Sequence, residues 1–432
     1  MGHVTKIIGI FFLVVVTVVS CQPNSKSLHM KSFETVWRTV YERHYDPTFG
    51  GMNWHEVHDR YHPKIAAVQN DSEFYTLVNR MLFELALSHL LVASHGDLTR
   101  YLPTLFAEGG IGIDVRLIDG SAVITSVQPG TPGARAGLHP GFVITRIDGL
   151  GVEQIIAEAA KRLIPPFNSR NRRNNITLGI LGCIYGTPGT TVSICYRDKQ
   201  GKTHEKVIMR QSRGRGAVIS DALPPFFIEF EARRLDDNIG YIRCNHIADP
   251  VGKEFIAALH AMSDTRGLII DFRGNSGGYF SIVDIIAGHL LAEETLFYTF
   301  EFRNRTTRHV LKPVVHVYTK PVVVLIDVLT MSCSEHFAAC IQALGRAVIV
   351  GERSPGYLLV AQWMRLPNGM AFMHTTAKPV TSDGMIIEGK GVTPDVEIAQ
   401  DRYALMQGRD VQLEGAINII KNGKVQTSHT GK

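Results

Sequence analysis

At 432 residues the chain has room for two or three domains of about 150 residues each, and 45% apolar and 20% charged residues with 40 Gly and 19 Pro are the make-up of a folded protein. That composition excludes long disorder, a collagen-like repeat and an all-membrane chain. Forty-five basic against 40 acidic residues leave a net charge of +5, scattered along the sequence and too mild for a nucleic-acid-binding surface. The densest basic run, Arg170, Arg172 and Arg173, lies among Asn and Pro residues and is expected to be a solvated loop.

The chain opens with Lys6 and an apolar run from Ile7 to Val19, too short to span a bilayer and suited to the hydrophobic segment of an export signal over residues 1–20. The run ends Val18-Val19-Ser20-Cys21, which resembles a bacterial lipobox. That resemblance implies lipidation of Cys21 as the mature N-terminus, and a membrane-anchored lipoprotein of the cell envelope facing the periplasm or cell surface. The remaining cysteines, Cys183, Cys195, Cys244, Cys333 and Cys340, show neither metal-ligand spacing nor a disulfide framework, and buried thiols are expected. No metal and no cofactor is expected.

Residues 28–104 read as a helical region. A turn at Asp46-Pro47-Thr48-Phe49-Gly50-Gly51 precedes a helix starting near Asn53, and Asn70-Asp71-Ser72 can cap a second one. Its apolar face, Phe74, Leu77, Val78, Met81, Leu82 and Leu85, follows helical spacing and, if continued, reaches Ser88 and His89. A polar pair at the end of an inward stripe must satisfy itself locally or face a cavity. His95, followed by Gly96-Asp97, is expected in an exposed turn.

Residues 105–212 alternate strands and turns: Ile111 to Leu117, Ala122 to Val127 and Phe142 to Ile147, a helix from Val152 to Leu163, then a hairpin of Thr190 to Tyr196 and Lys202 to Met209. The segment Gly110-Ile111-Gly112-Ile113, with Pro129-Gly-Thr-Pro-Gly-Ala-Arg-Ala-Gly-Leu-His-Pro-Gly141 following it, resembles a PDZ domain. In such a domain the glycine loop turns backbone N–H groups toward a terminal carboxylate and an open strand edge accepts an extended peptide. Residues 165–188, rich in Asn, Arg and Gly, are expected to be an insertion in it.

Residues 213–410 alternate strand and helix, the pattern of an α/β layer with a largely parallel sheet whose sites form beyond the strands' carboxyl ends. One such end carries Asp271-Phe272-Arg273-Gly274-Asn275-Ser276-Gly277-Gly278, with bare backbone N–H groups suited to an oxyanion. A second carries Thr330-Met331-Ser332-Cys333-Ser334-Glu335, where a hydroxyl meets the positive end of a helix and either caps it or acts as a nucleophile. Residues 411–432 are expected to trail as a C-terminal tail.

Taken together, Leu85-Ala-Leu-Ser-His89, the PDZ-like segment, Asp271-x-Arg-x-Asn-x-Gly-Gly278, Ser332-x-Ser-Glu335, Gly345-Arg-Ala-Val-Ile-Val-Gly-Glu352 and Glu388-Gly-Lys-Gly-Val-Thr-Pro-Asp395 resemble the S41 serine peptidases, the family of tail-specific or carboxyl-terminal processing proteases and of the tricorn core. The resemblance implies a multidomain α/β protein: an N-terminal helical region, a PDZ-like β-rich domain and a ClpP/crotonase-like α/β S41 protease core. It implies hydrolysis of protein or peptide substrates, with Ser332 as nucleophile. The general-base lysine of the processing branch is missing, because Gly356-Tyr357 stands where a Gly-Lys pair would. Tricorn-like members use a His and a Glu instead, and here Ser88-His89 and Glu388 match them. The implied set is Ser332, His89 and Glu388, the last acting directly or through Ser88, with Cys333 and Gly277 or Gly278 as the oxyanion hole. The alternative is a catalytically silent S41-fold protein that binds peptides or an apolar ligand.

Overall fold

The computed structural model describes residues 25–161, 168–214, 216–217 and 221–423. The expected signal, Cys21 and residues 424–432 lie outside the described residues.

A six-stranded sheet forms the centre, in the order Phe230–Leu235, Ile239–Cys244, Leu268–Asp271, Val322–Ile326, Val348–Gly351 and Val396–Glu397. Every pair after the first is parallel. Strands Leu268–Asp271 and Val322–Ile326 are buried at every residue, which is why they read as unbroken apolar runs. Helices Val251–Ala261, Phe280–Gly288 and Cys333–Ala343 cover one face through Phe255, Val283 and Phe337.

The other face is closed by a helix, Val411–Asn422, where a tail was expected. Asp410 caps it by accepting from the N–H groups of Gln412 and Leu413. Leu413, Ala416, Ile417 and Ile420 supply the apolar stripe that packs against Ile269 and Val323. A second, antiparallel sheet joins Leu91–Ala93, Thr295–Phe302, Thr306–Leu311, Val360–Arg365 and Ala371–Thr381. The first of these strands comes from the helical lead, so that lead is hydrogen-bonded into the protease core at Leu91, Val92 and Ala93.

Helices Ser25–Arg43, Trp54–Ala67 and Asp71–Phe83 make up the lead and bury Phe33, Trp54 and Phe74 against Leu366 and Phe372. Trp37 and Trp54 lock two of them, each indole N–H donating to the other's carbonyl at 2.9 and 3.1 Å. Asn70 caps the third as expected, but that helix stops at Phe83, and positive φ at Ala86, before the polar pair, and at His89, within it, turns the chain.

The PDZ-like sheet runs Ile113–Ile118, Ser121–Val127, Val143–Ile147, Thr191–Arg197 and Thr203–Met209, antiparallel, with Ile113–Ile118 at its edge. Over most of its length the expected insertion forms a helix, Ser169–Ile184. Asn168 caps it, and Asn171, Asn174, Leu178, Leu181 and Ile184 line its buried face. The inward stripe begins with two asparagines, which hides its period in a hydropathy reading. Its basic residues are not a solvated loop. Arg173 donates to Glu352 at 3.0 Å, and Arg170 and Asn168 both donate to the carbonyl of Gly389 at 3.2 Å, so the run ties this domain to the core.

Candidate active site

Strands Leu268–Asp271 and Val322–Ile326 are parallel neighbours, so the turns at their carboxyl ends lie side by side. The second turn delivers Ser332 at the mouth of helix Cys333–Ala343 with φ +56°, ψ −123°, a strained conformation for a non-glycine residue. Three contacts pin it there. The Ser332 N–H donates to the Tyr357 carbonyl at 2.9 Å and to Glu335 at 3.2 Å, and its hydroxyl is 3.2 Å from His89 Nε2.

The first turn must pass close beneath. A Cβ on Gly277, whose φ is +92°, would sit 2.6 Å from the Ser332 Cβ, and one on Gly278 would sit 2.0 Å from the Ile247 carbonyl oxygen. Only glycine permits both approaches. The Gly277 N–H is engaged by the Asn275 side chain at 2.9 Å. Of the two alternatives the sequence offered for the oxyanion site, this leaves Gly278. The N–H groups of Gly278 and Cys333 have no hydrogen-bond partner among the described residues. Ser334 is spent on the carbonyls of Met331 and Asn275 at 2.6 and 3.0 Å. Burial pushes the neighbouring Cys333 thiol up to about 12, so Ser332 has no competing thiolate beside it.

From His89 a hydrogen-bonded line runs inward. Ser88 Oγ lies 2.6 Å from His89 Nδ1 and donates to Glu388 at 2.8 Å, and the carboxylate also accepts the N–H groups of Ser88 at 2.7 Å and Leu358 at 2.9 Å. Burial lowers the His89 imidazole to about 4 and leaves it neutral. Burial raises Glu388 to about 7 against the opposing pull of its three donors. The loop carrying Glu388 is braced by the PDZ-like helix through Gly389. His95 is exposed and begins a helix capped by Ser94. Tyr357, standing where the other branch has its lysine, is buried in the apolar cluster of the PDZ-like domain, with its hydroxyl accepting from Asn175 at 3.3 Å.

Glu335 belongs to the quoted motif but had no assigned role. It accepts from Ser354, Gly356, Tyr357 and Ser332, and burial lifts its carboxyl to about 7. The sequence signal was its place three residues after the helix-opening serine. Arg116, on the PDZ-like edge strand, was not anticipated at all. It forms a buried 2.7 Å pair with Asp327, which also accepts the N–H groups of Gly274 and Leu329, so one cluster clamps both turns.

Gly110, Ile111, Gly112 and Ile113 are not among the residues lining the cleft that contains Ser332. Gly110 pairs with Gln211, the carbonyls of Ile111 and Gly112 accept from Gly133 and Gln128, and Ile111 and Ile113 are buried. In the same apolar cluster lie Val328, Leu329 and Met331 from the approach to Ser332, and Asn174 donates to the Val328 carbonyl at 2.8 Å.

The fold and this constellation define a serine peptidase. Residues 238–398 match the model of peptidase family S41, residues 29–83 that of the tricorn protease C1 domain and residues 103–181 that of the PDZ domain. The core over residues 238–398 is thus similar to the S41 serine peptidases, and the chain carries a PDZ domain ahead of it. It is 28% identical over 398 residues to a carboxyl-terminal-processing protease of Synechocystis sp., covering 90% of this chain and 86% of the relative. The same architecture is seen in the photosystem II D1 C-terminal processing protease, with a TM-score of 0.55 at 20% identity over 91% of this chain and 97% of that one. It is also seen in mature CPAF, with a TM-score of 0.61 at 14% identity over 92% and 98%.

Proposed function

We propose that this peptidase is an exported, lipid-anchored endopeptidase that works through Ser332, His89 and Glu388 rather than a serine–lysine pair. The observation that carries the reading is the line Glu388, Ser88, His89, Ser332, with steps of 2.8, 2.6 and 3.2 Å. An ionised carboxylate only accepts, so the Ser88 hydroxyl donates to Glu388 and its oxygen must receive the Nδ1–H of His89. That fixes the tautomer with a bare Nε2 facing Ser332.

Ser332 Oγ attacks the peptide carbonyl as its proton passes to His89 Nε2, and negative charge develops on an oxygen received by the N–H groups of Gly278 and Cys333. Collapse returns the Nε2 proton to the leaving amine, and water, deprotonated by the same nitrogen, releases the acyl group from Ser332. The PDZ domain receives a substrate C-terminus or extended segment at Gly110–Ile113. The apolar run from Ile7 and the lipobox-like Cys21 support export and anchoring.

The test is fluorophosphonate labelling of the signal-free protein with peptide mapping. Modification of Ser332 that disappears in both Ser332→Ala and His89→Ala is expected. A folded wild type that stays unlabelled refutes the mechanism.

A further inference from the structure

Beside the oxyanion turn lies a buried polar group that the mechanism does not use. Residues 245–247 run along the turn that carries Gly277 and Gly278. Ser276 N–H donates to the Asn245 carbonyl, Ile247 N–H to the Gly277 carbonyl and Tyr279 N–H to the Ile247 carbonyl, at 3.0, 2.7 and 2.8 Å. Asn245 is itself held on both sides, accepting the Glu229 N–H and donating to the Phe227 carbonyl, each at 2.8 Å. His246, between these clamped neighbours, is 4% exposed, and neither of its ring nitrogens has a hydrogen-bond partner among the described residues. Nδ1 is shut off from solvent. The ring therefore reaches outward through Nε2 alone.

What it reaches is the cleft of about 1570 Å³ that also contains Ser332 and Gly278. Around His246 the wall is apolar: Phe226 meets the imidazole edge-on at 4.9 Å, and Leu105, Phe106 and Leu223 continue the surface. Burial holds the imidazole down to about 3, so it stays neutral at any working pH. A rigid, neutral group of this kind is costly to leave unpaired and is satisfied by a partner that also carries no charge. A carboxylate or ammonium would lose its hydration against this apolar wall. An apolar side chain would leave Nε2 orphaned.

We infer that His246 is a specificity-determining residue, which accepts next to the scissile bond a substrate side chain bearing an uncharged hydroxyl or carboxamide. The inference rests on the peptidase reading above and adds the class of substrate residue. Either tautomer serves, because a hydroxyl or carboxamide can donate to Nε2 or accept from it.

The experiment profiles wild type, His246→Phe and His246→Leu on a proteome-derived peptide library by mass spectrometry, then measures kcat/KM for matched peptides carrying Gln or the near-isosteric Met at the enriched position. Wild type should concentrate Asn, Gln, Ser or Thr at one fixed position beside the cut and favour the Gln peptide by about tenfold. Either apolar variant that folds should lose that ratio. A wild type that labels at Ser332 and cleaves without such a preference overturns the inference alone, as does a preference that survives in the variants. A wild type that neither labels nor cleaves takes down the peptidase reading and this one with it.

Discussion

Replacing Ser88 by alanine isolates the link between Glu388 and His89. The hydroxyl makes the 2.6 Å contact to Nδ1 and the 2.8 Å bond to Glu388, while the carboxylate keeps its backbone donors from Ser88 and Leu358. Loss of a hydrogen bond to a charged partner is worth about 1.5–3 kcal/mol. If that interaction is made as the imidazolium forms, kcat/KM falls about ten- to two-hundredfold. Folding should hardly change, because the Glu388 carboxylate stays paired. Single-turnover labelling or peptide hydrolysis of wild type, Ser88→Ala, Glu388→Ala and the double variant measures this directly. With the relay running through Ser88, the Glu388→Ala loss shrinks markedly once Ser88 is gone. Losses that add in the double variant to within about 0.5 kcal/mol would refute the relay.

The remaining expectations concern the same framework. Protonating Glu388, whose carboxyl burial has raised to about 7, lets it donate to Ser88, reverses both hydrogen bonds and places the proton of His89 on Nε2. The labelling rate should therefore climb with pH and level off above about 7, and a plateau already reached at pH 5 contradicts this. Glu335→Gln turns an amide against the N–H groups of Ser332, Gly356 and Tyr357. It should cost about 1–3 kcal/mol in denaturant unfolding and slow labelling, and unchanged values in both assays would remove Glu335 from the support of Ser332. Gly277→Ala drives a Cβ to within 2.6 Å of the Ser332 Cβ at a φ of +92°. Labelling should drop at least a hundredfold in protein whose circular dichroism stays native.

Much of the core was legible because its chemistry is local. The strands Leu268–Asp271 and Val322–Ile326 are continuous apolar runs, each breaking into a turn of glycines or hydroxyls, and that pattern alone places two loops at the carboxyl ends of a parallel sheet. The motif order then assigned Ser332, His89 and Glu388 to one centre before any distance was known. The route to His89 was less direct. Extrapolating the helical stripe through Leu85 brought His89 to an inward face, whereas the chain leaves the helix at Phe83 and points the residue inward from a left-handed turn. Such a turn at a non-glycine residue has no signature in hydropathy.

Helices Ser169–Ile184 and Val411–Asn422 escaped for a related reason. A face that starts with Asn171 and Asn174 looks solvated until Val328 is found bonded to it, and a short amphipathic stretch near the end of a chain looks like a tail until a bare sheet face needs covering. The sequence by itself determined the candidate site residues and the parallel layer that carries them, since strand period, glycine turns and motif spacing are properties of neighbouring residues. Only the tertiary structure decided which hydrogen bonds link Glu388, Ser88, His89 and Ser332, that Arg116 clamps both glycine- and hydroxyl-bearing turns through Asp327, and that His246 lies beside the Gly277–Gly278 turn with no hydrogen-bond partner among the described residues. Those are contacts between residues up to 300 positions apart, set by how the layers pack and invisible to any local period.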